Sequence, residues 1–168
     1  MTQRLVRELA RLGEESQRAP ERGALVMIGR RQLRSHNSWL HNSRALIKGP
    51  ERCALLMHPD DALARGLGDG DRVSVSSRVG SVTTSVSLSD EMMPGVVSLP
   101  HGFGHALAGA RLPVAAERPG VSANAVTDDA LLDHLTGNAA FSELVVEVLR
   151  AEARADQGAS EAQRTIGA

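Results

Sequence analysis

The order of apolar and polar positions divides this chain into one short helix, a run of short strands and several polar turns. Residues 1–17 place Leu5, Leu9 and Leu12 at helical spacing with charges between them, which predicts an amphipathic helix. Pro20 breaks it. Residues 24–28 and 53–57 are apolar runs short enough to be buried strands. At 58–65 a second helix is expected. His58 stands at its cap, Pro59 sits in the first turn where a missing N–H is harmless, and Asp60 and Asp61 face the positive helix end. The glycine-rich segment 66–71 ends it.

Period-two alternation over 72–77 and 81–88, with a turn at Val79 and Gly80, predicts a β-hairpin with one face buried. Residues 93–100 supply another strand, stopped by Pro100, and residues 143–149 a last one. Asp128 and Asp129, ahead of Leu131, Leu132 and Leu135, read as a further helix start. The expected fold class is mainly β with peripheral helices, a small barrel. Beyond Arg150 large apolar side chains almost vanish, so residues 151–168 are expected to form a flexible tail.

Composition narrows the function classes. The 168 residues suit one domain with one core, and a net charge of -1 gives no reason to expect a nucleic-acid partner. Charge is concentrated locally instead: between residues 30 and 52, Arg30, Arg31, Arg34, Arg44, Lys48 and Arg52 face only Glu51. Such a segment suits a bound phosphate group. A lone Cys53 excludes an intramolecular disulfide and any multi-cysteine zinc or iron-sulfur site. No run approaches the roughly 18 apolar residues that span a bilayer, and no signal-peptide pattern opens the chain. A soluble, cytoplasmic protein without a membrane partner is therefore expected.

The candidate chemistry lies in residues 28–42, where guanidinium forks, hydroxyls, amides and Trp39 follow an apolar strand. That inventory suits a large, anionic, planar ligand. Trp39 could equally plug the end of the core. His101 and His105 have the spacing of a helical zinc pair, but Gly102 and Gly104 interrupt it, and a loop role is the better reading. No nucleophile, base and orienting group stand together, so no catalytic residue is assigned.

Five blocks then carry a resemblance: Arg30-Arg31-x-x-Arg34-Ser35-x-Asn37-Ser38-Trp39-x-x-Asn42; Leu56-Met57-His58-Pro59-x-Asp61-Ala62; Gly68-Asp69-Gly70-Asp71; residues 94–105; and Ser122-Ala123-Asn124. In this order and spacing, from about Leu25 to Leu149, they resemble the C-terminal dinucleotide-binding domain of molybdopterin oxidoreductases. Formate dehydrogenases and nitrate reductases are of this type, carrying a molybdenum or tungsten bis(molybdopterin guanine dinucleotide) cofactor. The resemblance implies a double-psi β-barrel. It also implies that residues 30–42 lie along the pterin and pyrophosphate, and that Asn124 and residues 101–105, with His101, Gly102 and Phe103, close on the same ligand. Arg30 and Arg34 would fork onto phosphate or pterin oxygens and Ser35 and Ser38 would donate to it. Asn37, Asn42 and Asn124 would match pterin or guanine edges.

In that family dithiolene sulfurs hold the metal, usually with a cysteine, selenocysteine or serine from a preceding domain. Nothing here matches that domain or the iron-sulfur motif before it, so no metal ligand is assigned and Cys53 is not promoted to one. Residues 137–142 lack a lysine that some members carry, and Phe103 stands where many have tryptophan. The resemblance implies a non-catalytic part of an oxidoreductase, completed by a catalytic large subunit or by preceding domains of the same enzyme. The expected organisation is residues 1–22 as a helix or remnant of a preceding domain, 23–150 as the cofactor-binding barrel and 151–168 as the tail. Two alternatives stand beside it: a free-standing adaptor barrel without cofactor, and a self-processing pyruvoyl enzyme suggested only by Gly80-Ser81.

Overall fold

A computed structural model of the chain describes residues 2–16, 23–106, 109, 111–133, 136–139 and 144–152. Six strands close into one barrel in the order β1-β5-β2-β4-β3-β6. They are β1 (Leu25–Arg30), β2 (Ala54–Met57), β3 (Arg72–Ser76), β4 (Ser81–Leu88), β5 (Val96–Pro100) and β6 (Leu144–Arg150). β1 runs parallel to β5, and β2 parallel to β4; every other neighbouring pair is antiparallel. Closure leaves no sheet edge to pair with another chain. The architecture is the expected double-psi β-barrel, mainly β with few helices.

Alternation explains why these residues close around one core. Leu25 and Met27, Leu55 and Met57, Val73 and Val75, and Leu144, Val146 and Val148 point inward, each at most 2% exposed. Their neighbours Val145 and Leu149 face outward. In β5, by contrast, residues 97–100 are all buried, because Ser98 and Pro100 are covered from outside as well. Helix α1 (Thr2–Ser16) forms as its spacing predicts, with Leu5, Val6, Leu9 and Leu12 exposed. A single helical turn, α2 (Arg44–Ile47), follows the arginine-rich loop. Helix α3 (Pro59–Leu63) starts at His58, whose Nδ1 accepts from the Asp60 N–H at 3.1 Å.

One predicted element does not form among the described residues. Asp128 opens a turn and not a helix, and Leu132 forms an isolated bridge to Ala139. The buried Asp128 carboxylate instead accepts a two-pronged contact from Arg78, at 2.6 and 2.7 Å, tying this segment to the β3–β4 hairpin. A long-range ion pair has displaced a local helix signal. The tail expected at 151–168 lies, from residue 153 on, outside the described residues, as do residues 17–22 and 140–143.

Candidate functional site

Strand direction gathers the polar loops at one end of the barrel. The registers Arg30↔Pro100, Leu56↔Ser98, Ala54↔Ser85 and Ser76↔Ser81 place the ends of β1, β5 and β3 beside the starts of β2 and β4. Residues 31–42 and 101–105 therefore leave neighbouring parallel strands side by side, on a rigid base. The His101 N–H donates to the Arg30 carbonyl at 3.0 Å, continuing the β1–β5 ladder.

The two loops touch main chain to main chain. A Cβ built on Gly102 would lie 2.1 Å from the Asn37 carbonyl oxygen and 2.9 Å from the Ser38 nitrogen. His36 (φ 42°) and Asn37 (φ 64°) adopt left-handed backbone at the contact, a conformation that asparagine tolerates better than most residues. His101 lies over Gly29, where a Cβ would meet its ring at 1.9 Å. At the rear, His41 Nδ1 and His105 Nε2 are 2.7 Å apart, and the Phe103 ring packs against His41, tilted by 42° with centroids 4.4 Å apart. Residues 101–105 are held in turn by 119–122: the Gly104 and His105 N–H groups donate to the Pro119 carbonyl at 2.8 and 3.0 Å.

Each side chain proposed from the sequence has a definite place. Arg30 is turned inward: Nη1 donates to Ser98 O at 2.9 Å and Nη2 to Ala54 O at 2.9 Å, bracing β1 against β5 and β2. Its Nε is buried without a partner, and desolvation lowers its pKa from the usual arginine value. Ser35 is buried, its hydroxyl donating to Gln32 O at 2.9 Å. Asn42 Oδ1 accepts from Val114 N and Ala115 N at 3.0 and 3.3 Å, joining the loop to the short turn Ala115–Glu117. These three brace strands and loops at this end of the barrel. Arg34, exposed, has no hydrogen-bond or ion-pair partner among the described residues.

Trp39 is 82% exposed, so it packs no core; the tight turns over 33–42 carry it outward. With Arg31, Gln32, Leu33, His36 and Asn37 it lines an open recess of about 460 Å³. Arg31 donates to Asn37 Oδ1. Ser38 and Phe103 are half-buried beside Gly102 and His41. Asn124 is exposed on the turn Ala123–Ala125, which abuts Gly80 at the hairpin tip; the structure brings it to the same barrel end.

Reasoning from sequence passed over His41, Gln32 and the structural use of Cys53. The Val121 N–H donates to the Cys53 sulfur at 3.2 Å, and burial pushes that thiol's pKa up. His41, His101 and His105 all have pKa values lowered below the usual histidine range, chiefly by desolvation. Histidine content in two loops was the available signal, but not which rings would meet. Among the described residues no cluster of three or more His, Cys, Asp or Glu could hold a metal ion.

Six strands closed into a barrel, with two interlocked polar loops at one end, define a double-psi β-barrel domain. The chain belongs to the family described as the molydopterin dinucleotide binding domain, whose profile matches residues 25–145. It is 46% identical over 56 residues to a dimethyl sulfoxide/trimethylamine N-oxide reductase of Rhodobacter capsulatus, covering 33% of this chain and 7% of the reductase. Against a biotin sulfoxide reductase of Cereibacter sphaeroides it is 30% identical over 104 residues, 61% of this chain and 13% of the relative. The chain thus spans a small part of these relatives' length. Acetylene hydratase from Pelobacter acetylenicus shares the fold, with a TM-score of 0.65 and 18% identity over 78% of this chain and 19% of that one.

Proposed function

We propose that this chain binds and orients a molybdopterin guanine dinucleotide as the C-terminal domain, or a separate subunit, of a molybdenum or tungsten oxidoreductase. One observation carries the reading: in a member of a dinucleotide-binding family, residues 31–39 enclose an open recess lined by polar and aromatic side chains. Arg31, Gln32, His36, Asn37 and Trp39 surround open space, and Arg34, without a partner among the described residues, lines a second cavity beside His41. Guanidinium groups, an amide and an aromatic face are the chemistry that phosphate, pterin and purine edges need. On this reading Arg34, Asn37, Ser38, Trp39, His101 and Asn124 contact the ligand, with Gly102 and Phe103 shaping its floor. Arg30, Ser35 and Asn42 hold the loop that presents them.

When bound, the cofactor supplies the redox chemistry through a metal held by its dithiolene and by a residue outside this chain. The likeness to sulfoxide and N-oxide reductases favours oxygen-atom transfer from an S-oxide or N-oxide over formate oxidation or nitrate reduction. The exposed Leu5, Leu9 and Leu12 of α1 support residues 1–22 as the remnant of a preceding domain, with 23–150 as the binding domain. The partner is then the catalytic large subunit or the preceding domains. Among the described residues no helix is long and apolar enough to cross a membrane, and cytoplasmic placement is part of this proposal.

The exposed Leu33 (97%) and Trp39 favour one second reading, an adaptor barrel that docks another protein without cofactor. Purified chain mixed with the dinucleotide separates the two. Retention of pterin, lost at least about tenfold in Arg34→Ala given about 1.5–3 kcal/mol per charged hydrogen bond, supports the first. Absence of any pterin binding refutes it.

A further inference from the structure

We propose that His41 and His105 are positioning residues: a clasp sharing one hydrogen bond that holds residues 31–42 against residues 101–105, closed until both rings carry an added proton. Their use in retaining a dinucleotide rests on the function proposed above; the clasp itself rests on geometry. At 2.7 Å the Nδ1 of His41 and the Nε2 of His105 must be one donor and one acceptor. A first added proton can occupy the bare nitrogen on the far side of the donor ring, leaving that bond intact. A second has only the accepting nitrogen left. It would set two N–H groups face to face between two cations, and the rings must part.

The surroundings of the pair make this switch local. His41 is 8% exposed, and the Gly102 carbonyl faces both rings and favours a proton on each. Arg52 opposes protonation of His41, and Glu51 partly offsets it. Phe103 covers one ring without charge, and Arg34 and Arg118 line the small cavity beside His41. Two protons are therefore disfavoured by burial, by mutual repulsion and by Arg52. Between the clasp and the recess lies the Gly102–Asn37 contact, so parting the rings loosens the floor beside Asn37 and Ser38.

Nuclear magnetic resonance of the full chain, titrated from about pH 8 down to about pH 4 so that both lowered histidines are protonated, tests the clasp without any cofactor. Ring ¹⁵N shifts of His41 and His105 report each proton, and the amides of Asn37, Ser38 and Gly102 report loop position. Expected in the wild type are amides that stay put through the first proton and move with the second. His41→Gln, which keeps a neutral hydrogen bond, should hold the closed positions throughout. His41→Ala should show the acid-form positions already at the alkaline end. The clasp is wrong if the wild-type amides do not follow the second proton, or if His41→Gln titrates like the wild type; those two arms decide even if His41→Ala does not fold. Adding dinucleotide at the alkaline end tests the proposed function separately, because its failure to shift the recess amides leaves the clasp result standing.

Discussion

Replacing Gly102 by alanine should separate the two loops that build the site. Its φ of +90° disfavours any side chain, and a Cβ there would meet Asn37 O at 2.1 Å and its carbonyl carbon at 2.4 Å. Ordinary contact is about 3.5 Å, so the Asn37 backbone must retreat by more than roughly 1 Å. Gly95 separates the two costs: its φ is +85°, but a Cβ meets nothing within 4 Å. Gly95→Ala should therefore lose only the backbone term, about 1–3 kcal/mol. Gly102→Ala should lose that and about 1–3 kcal/mol more for overpacking. Urea denaturation with a common slope measures both. Equal losses in the two variants would refute the view that residues 31–42 and 101–105 are in main-chain contact.

Other consequences follow from the same geometry. Arg30→Met should lose about 2–4 kcal/mol in urea denaturation, because carbonyls of Ser98 and Ala54 lose a charged donor. Asn42→Ala should lose about 1 kcal/mol and Asn42→Asp most of that loss be restored, as only the acceptor oxygen is used. Stability should also fall in acid. His41, His101 and His105 have lowered pKa values in the fold, so their contribution is complete above their unfolded value of about 6.5 and is lost as pH falls through the lowered values. Asp71 and Asp128, also lowered by their hydrogen bonds and by Arg150 and Arg78, add a second loss below about pH 4. Thermal melting across that range should show two descending steps, and a flat profile between about pH 7 and pH 5 would contradict the histidine assignment.

Local pattern made much of the fold legible. Val73, Val75, Val146 and Val148 alternate inward as their spacing requires, and the Pro59, Asp60 and Asp61 signal starts α3 where expected. What the sequence could not disclose depends on contacts between distant segments. Arg30 is drawn to carbonyls 24 and 68 residues away, a bracing of strands that no local pattern announces. Asp128 answers Arg78, 50 residues earlier, and its helix signal is lost. Trp39 turns outward because left-handed residues 36 and 37 set the loop's path. His41 escaped notice because its meaning comes from His105, 64 residues on.

Hydrogen exchange of the full chain with and without molybdopterin guanine dinucleotide tests the central claim most directly. The account predicts slowed exchange at residues 31–39 and 101–105, with none at the outward residues of β3 and β4 around Ser74 and Thr83. Unchanged exchange in both loops, or protection confined to that outer face, would contradict it.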